Sequence, residues 1–262
     1  MQNPNRLRRT MAIVSPAISL FSLATFAGCG TTMAIPDPAV RFVAFGDSTT
    51  AGPADLSYPD FLPELLDQPA DAIANEGIGG EDTGEGLNRL QELLDLALYP
   101  NATTLLYWQG GNDISAFIKE HDPFILETPD DTDFPFTEAL TALLEKVQAN
   151  VEAAITSARG AGLAVFVATY YPMVPGIGDC DPLPLDTLLP TQSQRANVYL
   201  DLLNDRLRQA AANTGATLID VAAIGNELTG DSVNYFNCNH LSEIGNETAA
   251  GLFATAIQAA GS

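Results

Sequence analysis

The residues of this chain that could do chemistry gather in four short clusters: Gly46-Asp47-Ser48, Asn75 to Thr83, Gly110 to Asp113, and Asn237 to Ser242. A serine hydroxyl is a poor nucleophile until a neighbouring imidazole takes its proton. Only two histidines are present to do so. His240 lies in the last cluster, whereas His121 precedes Asp122-Pro123 in a polar stretch and reads as a solvated loop residue. Gly-Asp-Ser taken alone also describes an Asx-type turn, with Asp47 and Ser48 bonded to their own backbone. Two histidines without histidine–carboxylate spacing are little to build a metal centre from, so neither a metal nor another cofactor is expected.

The elements that must position these clusters follow from the apolar patterning. Val40 to Phe45 is a short run rich in β-formers that breaks at Gly46, the pattern of a buried strand ending in a turn, so Ser48 falls at its carboxyl end. Tyr58 to Leu66 has helical spacing, and Asp71 to Asn75 offers a second strand. A glycine-rich turn follows, and then a helix with Leu87, Leu90, Leu94 and Leu98 on one face. Thr103 to Trp108 is a third strand ending at Gly110-Gly111-Asn112-Asp113. The stretch from there to Phe136 carries prolines and acids and reads as a long excursion rather than packed structure. Leu140, Leu144, Val147, Val151, Ile155 and Ala158 then stripe a long helix closed by Gly160 and Gly162. Leu163 to Tyr171 is the most apolar strand, and a second excursion runs from Pro172 to Pro190. A helix from Gln192 to Ala212, a fifth strand from Ala216 to Val221 and a last helix past Gly245 complete the chain. Such alternation means right-handed βαβ units, and hence a three-layer α/β/α sandwich around a mainly parallel five-stranded sheet of the flavodoxin-like kind. No internal repeat and no second domain are visible.

Gly46-Asp47-Ser48, Asn75-x-Gly77-x-x-Gly80, Gly110-x-Asn112-Asp113 and the late His240 stand in the order of the SGNH hydrolases, also called GDSL esterases and lipases, and the chain resembles that superfamily over nearly its whole length beyond the leader. The resemblance implies a serine esterase with Ser48 as nucleophile and His240 as general base. It also implies an oxyanion hole of the Ser48 N–H, the Gly80 N–H and the Asn112 side-chain amide, with Asp47 bracing the loop. Chemistry asks for the same residue types, because the tetrahedral oxyanion needs fixed donors about 3 Å away. The pattern departs from the family at the third triad position, where Asn237 replaces the aspartate of Asp-x-x-His and Leu241 replaces the following proline. An amide oxygen can orient an imidazole but brings no full negative charge. Three groups could orient His240: Asn237, a backbone carbonyl, or Asp179 or Asp181 delivered by a Cys180–Cys238 bridge. The alternative in another class is a catalytically decayed carbohydrate-binding or surface protein, for which Asn237 is the only sequence argument.

The first residues resemble a bacterial lipoprotein leader: Arg6, Arg8 and Arg9 precede an apolar run from Met11 to Phe26, and Ala27-Gly28-Cys29 closes it. Phe26 departs from the usual aliphatic residue there. The expected division is a signal peptide over 1–28, a tether lipidated on Cys29 over 29–38, and the hydrolase domain over 39–262. A cleaved secretory signal with an incidental cysteine and an uncleaved anchor are the competing readings, the latter disfavoured by Pro16 and the short span. Export leaves Cys180 and Cys238 as an even pair in an oxidising compartment, where a disulfide is expected and two buried thiols are the alternative. Loss of the leader's arginines leaves 8 basic against 33 acidic residues, near −25, which repels nucleic acid and anionic head groups. The expected partners are a small-molecule, lipid or glycan ester and the membrane, reached through the Cys29 anchor on the periplasmic face. A monomer is expected.

Overall fold

The computed structural model describes residues 35–180 and 183–261, so the leader, Cys29, Asp181 and Pro182 lie outside the described residues. Five strands form one sheet in which every pairing is parallel: β1 (Phe42–Gly46), β2 (Ile73–Gly77), β3 (Thr104–Trp108), β4 (Ala164–Ala168) and β5 (Thr217–Ile219), in the spatial order β2-β1-β3-β4-β5. The helices are α1 (Ser48–Ala51), α2 (Tyr58–Leu66), α3 (Thr83–Asp95), α4 (Gly111–His121), α5 (Thr137–Gly160), α6 (Pro190–Thr214), α7 (Gly225–Thr229) and α8 (Glu243–Ala260). Right-handed crossovers decide which face each helix covers. The step from β1 to β2 runs opposite to all later steps, so α2 joins α8 on one face while α3, α5 and α6 pack together on the other.

That single reversal sets the position of the site. The first connection leaves β1 toward one edge and the second returns past it to β3, so the chain diverges at the carboxyl ends of β1 and β3. In doubly wound sheets this is where ligands bind. Ser48 follows β1 and Asn112 follows β3.

The inner strands β1, β3 and β4 are short and apolar because both faces are covered. All five residues of β3 are buried, with Trp108 wholly enclosed. On the α2/α8 side, Tyr58 stacks on Phe253 at 4.2 Å between ring centroids, and Trp108 lies 5.5 Å from each. Burying aromatic and aliphatic side chains of this kind contributes about 1.5–3 kcal/mol each.

Three expectations need correction. The stretch after β3 is packed, not an open excursion: α4 buries Ile114, Phe117 and Ile118, and Ile125 and Phe134 beyond it are buried too. Its polarity misled because its acids are partnered internally. The buried Asp122 carboxylate accepts from the backbone N–H groups of Leu126 (2.8 Å) and Glu127 (3.1 Å) and from the Tyr199 hydroxyl (3.2 Å). His121 is accordingly no solvated loop residue. It ends α4 half-buried between the rings of Phe117 and Phe136, 4.5 and 5.0 Å away. The second strand begins at Ile73, because Ala70–Ala72 is a turn of 3-10 helix.

Gly77 ends β2 against the backbone of α1. A Cβ built there would lie 2.1 Å from the Ala51 nitrogen. Gly77→Ala is therefore expected to destabilise the protein by about 1–3 kcal/mol, as overpacking does, with loss of activity through displacement of α1. Urea unfolding and ester turnover check this; a wild-type midpoint would show that α1 can move aside without cost.

Candidate active site

Ser48 opens α1 directly after β1, and Asp47 before it caps the turn. The Asp47 carboxylate accepts from the Thr49 N–H (2.9 Å), the Thr49 hydroxyl (2.8 Å) and, on its other oxygen, the Tyr170 hydroxyl (2.6 Å). Asp47 is buried, and that burial holds its carboxyl above the usual carboxylate range, offset by the bonds from Tyr170 and Thr49. Asp47 thus braces the serine turn, and the Asx-turn reading holds for Asp47 but not for Ser48, whose hydroxyl faces His240 instead. Asn75 on β2 fastens the other end of α1, donating to the Thr50 carbonyl (3.0 Å) and accepting from the Gly77 N–H (3.0 Å).

The glycine-rich turn after β2 is tied to β1 by the Ile78 N–H, which donates to the Gly46 carbonyl (2.9 Å). Gly80 has a φ of +84°, the left-handed region that a side chain would strain. Gly79 sits against the serine, its hypothetical Cβ 3.9 Å from the Ser48 Cβ. Beneath the turn the buried Glu81 carboxylate receives Arg89 at 2.6 and 2.8 Å and the Gln109 amide at 2.5 Å, while Arg89 also donates to Glu76. The Arg89 guanidinium lies 3.9 Å from the centre of the Phe45 ring, so a charged cluster packs directly on β1.

Asn112 lies in the first turn of α4, whose N-cap is Gly110, so it is not the helix cap. Its side-chain N–H donates to the Glu81 carbonyl (3.0 Å), which joins the α4 start to the glycine turn. Asp113 strengthens that joint by accepting the Thr83 N–H and hydroxyl, both at 2.9 Å. Burial raises the Asp113 carboxyl above its ordinary value against the opposing effect of the Thr83 bonds.

His240 comes from a tight ribbon in which Tyr235 and Leu241 pair antiparallel. The Asn237 side-chain oxygen faces three nitrogens: the backbone N–H of His240 (2.8 Å), the backbone N–H of Asn239 (3.1 Å) and His240 Nδ1 (3.1 Å). Two backbone donors identify that atom as the amide oxygen. An oxygen of this kind only accepts, so in the neutral imidazole the proton belongs on Nδ1. Nε2 is then an unprotonated acceptor, and it lies 2.8 Å from the Ser48 hydroxyl. The ribbon is held by Val174 N–H on the Cys238 carbonyl (2.9 Å), by the Tyr171 hydroxyl on the Asn239 carbonyl (3.1 Å), and by the Cys180–Cys238 disulfide, both sulfurs buried. Ser242 caps α8 immediately after it.

Ser48, Asn112 and His240 line one cleft of about 40 Å³ together with Ser115, Tyr170 and Met173. Residues separated by up to 192 positions therefore meet at one sheet edge. Gly80 does not line the cleft but lies between Gly79, against the serine, and Glu81, bonded to Asn112. Asp179 is exposed, and Asp181 lies outside the described residues. Tyr170 and the Glu81–Arg89–Gln109 cluster have no spacing signal that could have revealed them; Asp113 was visible in Gly-x-Asn-Asp, though its bond to Thr83 was not.

The sequence profile of the GDSL-like Lipase/Acylhydrolase family matches residues 44–248, from β1 into α8. The chain belongs to this family. It is accordingly a hydrolase of carboxylic esters. Similar folds among solved structures include a GDSL-like lipase from Bacteroides thetaiotaomicron, 14% identical, TM-score 0.54, covering 85% of this chain and 89% of that one. An acetyl xylan esterase is 20% identical with a TM-score of 0.55, over 83% of this chain and 100% of its own. Phospholipase A1 from Streptomyces albidoflavus is 19% identical with a TM-score of 0.55, over 84% and 98%. No curated protein matches the chain in sequence.

The disulfide closes a 58-residue separation and ends one residue from Asn237 in this GDSL-family chain. Replacing Cys180 and Cys238 by alanine is expected to cost about 2–4 kcal/mol and to lower kcat more than it changes KM, since the ribbon carrying His240 loosens. Denaturation midpoints and steady-state kinetics below the melting range check both parts; an unchanged kcat would show that the hydrogen bonds from the Tyr171 hydroxyl and the Val174 N–H hold the ribbon alone.

Proposed function

We propose that the chain hydrolyses carboxylic esters through an acyl-enzyme, with Ser48 as nucleophile and His240 as general base. Ser48 Oγ attacks the ester carbonyl carbon while its proton passes to His240 Nε2. The oxyanion that forms is held by the Ser48 N–H, the Gly80 N–H and the Asn112 side-chain amide. Collapse of the intermediate breaks the bond to the alcohol oxygen, which takes the proton back from Nε2. Water then repeats the sequence on the acyl-serine and releases the acid.

The 2.8 Å contact between Ser48 Oγ and His240 Nε2, in the tautomer imposed by Asn237, is the observation that supports this reading most directly. It also weighs against the decayed binding protein, which has no need to keep a serine proton aligned on an unprotonated ring nitrogen. Acyl esters, lysophospholipids and acetylated glycans are the substrate classes in view. The acetyl xylan esterase and phospholipase A1 with similar folds support that range.

Asn237 takes the place of the family's aspartate as the orienting group. In trypsin-like proteases an amide at the equivalent position lowers kcat about 10⁴-fold, because it favours the wrong tautomer. Here backbone N–H groups hold the amide oxygen toward Nδ1, so the correct tautomer is retained and only the charge is missing. Ser48→Ala is expected to abolish p-nitrophenyl ester turnover, and Asn112→Ala to lower it about 100- to 1000-fold as loss of one oxyanion donor does. Asn237→Ala should reduce kcat, by up to about 10⁴-fold if tautomer control is lost as in those proteases, and Asn237→Asp should raise it. A larger loss in Asp179→Ala or Asp181→Ala than in Asn237→Ala would transfer the orienting role to that aspartate.

Export and anchoring through Cys29 complete the proposal. The Arg-rich start, the apolar run and Ala27-Gly28-Cys29 support it, and the strongly negative charge of the remaining chain suits an ester at an uncharged surface. Mass spectrometry of the native membrane fraction should find the chain beginning at a lipidated Cys29; an unmodified Cys29 in that fraction would overturn the anchor.

A further inference from the structure

A second concavity, of about 370 Å³, adjoins the ribbon that carries His240. One wall is Pro53 to Asp55, which leaves the helix that Ser48 opens; the other is Val233, Phe236, Glu243 and Ile244, on and around the ribbon that carries His240. The proposed chemistry makes no use of these residues. Yet Val233, Phe236 and Ile244 stay 48, 51 and 49% exposed, so three large apolar side chains stand open around one groove. Contiguous exposed apolar surface of this kind marks a binding site more often than it is incidental.

The ribbon's pairing says which end of a substrate the groove faces. Tyr235 opposes Leu241 and both are buried, while the Phe236 N–H donates to the His240 carbonyl at 2.9 Å. Residues opposed in an antiparallel pair share a face, so Phe236 projects on the same side as the His240 imidazole. That imidazole returns its proton to the departing alcohol oxygen, which places the alcohol part of the ester on the histidine side of the serine. The cleft by Ser48 and Asn112 has only about 40 Å³. The groove has about nine times that space, so the longer part of an ester falls to the groove and the shorter part to the cleft. Asp55 and Glu243, exposed at the groove, would repel an anionic alcohol.

From these observations, and resting on the esterase reading above, we infer that the groove is the alcohol subsite, and that the enzyme takes short-acyl esters of extended apolar alcohols that are uncharged or cationic. Phe236 is the specificity-determining residue, packing on the alcohol chain next to the bond that breaks.

Hexyl acetate, ethyl acetate and ethyl hexanoate test this, followed by titration of the released acid, since the three share leaving groups of similar acidity. Wild-type kcat/KM should be at least about tenfold higher for hexyl acetate than for ethyl acetate, a fraction of what four buried methylenes can supply, and higher than for ethyl hexanoate. Phe236→Ala and, independently, Ile244→Ser should bring the hexyl-to-ethyl ratio close to one; both positions are half exposed, and matching circular dichroism confirms that the variants fold. Preference for ethyl hexanoate would overturn the assignment by placing the acyl chain in the groove. Equal turnover of the two acetates, abolished by Ser48→Ala, would overturn the subsite while leaving the esterase intact. If Phe236→Ala then changes sedimentation or binding to neutral vesicles, the groove belongs to a second copy or a lipid surface. No turnover of any ester by the wild type would remove the esterase reading and the subsite with it.

Discussion

An amide oxygen can accept hydrogen bonds but never donate one, and the whole catalytic proposal depends on that property of Asn237. Two backbone N–H groups of its own ribbon hold the oxygen toward His240 Nδ1. In the neutral ring this places the proton on Nδ1 and leaves the lone pair on Nε2 for the serine 2.8 Å away. A carboxylate would do the same and add a negative charge to stabilise the imidazolium. The ribbon geometry therefore supplies the orienting half of what a triad aspartate does, and the missing half is electrostatic.

Everything around the ribbon serves to keep this small contact in register. The serine is fixed from below by a buried carboxylate reaching across to Tyr170, and from the side by Asn75 on the edge strand. The glycine turn and the start of α4 are joined through Asn112 and through Asp113 to Thr83. The disulfide and the backbone bond from Val174 hold the histidine ribbon to the segment after β4. Buried polar groups of this kind are costly unless fully partnered, and here most of the partners come from a different sheet connection. Each loop consequently depends on its neighbours, which is how irregular backbone can be held as rigidly as the strands beneath it.

The alternation of apolar runs was enough to read the parallel sheet, because strands buried on both faces must be continuous apolar stretches and helices must show a stripe. Tyr58–Leu66 agrees to the residue, and α5 agrees in extent. The reading failed where polar side chains satisfy one another locally. Asp122 made a packed turn look like solvent-exposed loop, and His121, taken as solvated, is sandwiched by two phenylalanines. Composition reports how polar a residue is and not where its partner lies, so partnered acids and exposed acids look alike.

The order of the motifs along the chain was sufficient to indicate the family, and the resemblance singled out Ser48, Gly80, Asn112 and His240; the first three follow strands, whose ends share one edge of a parallel sheet. Those inferences need only local pattern and the handedness of crossovers. Whether serine and histidine meet, which ring nitrogen holds the proton, and that Tyr170 and Arg89 support the site from remote positions were decided only by the tertiary structure. Such contacts join residues up to 192 positions apart, and a hydrogen bond is set by a few tenths of an ångström that no spacing along the chain encodes.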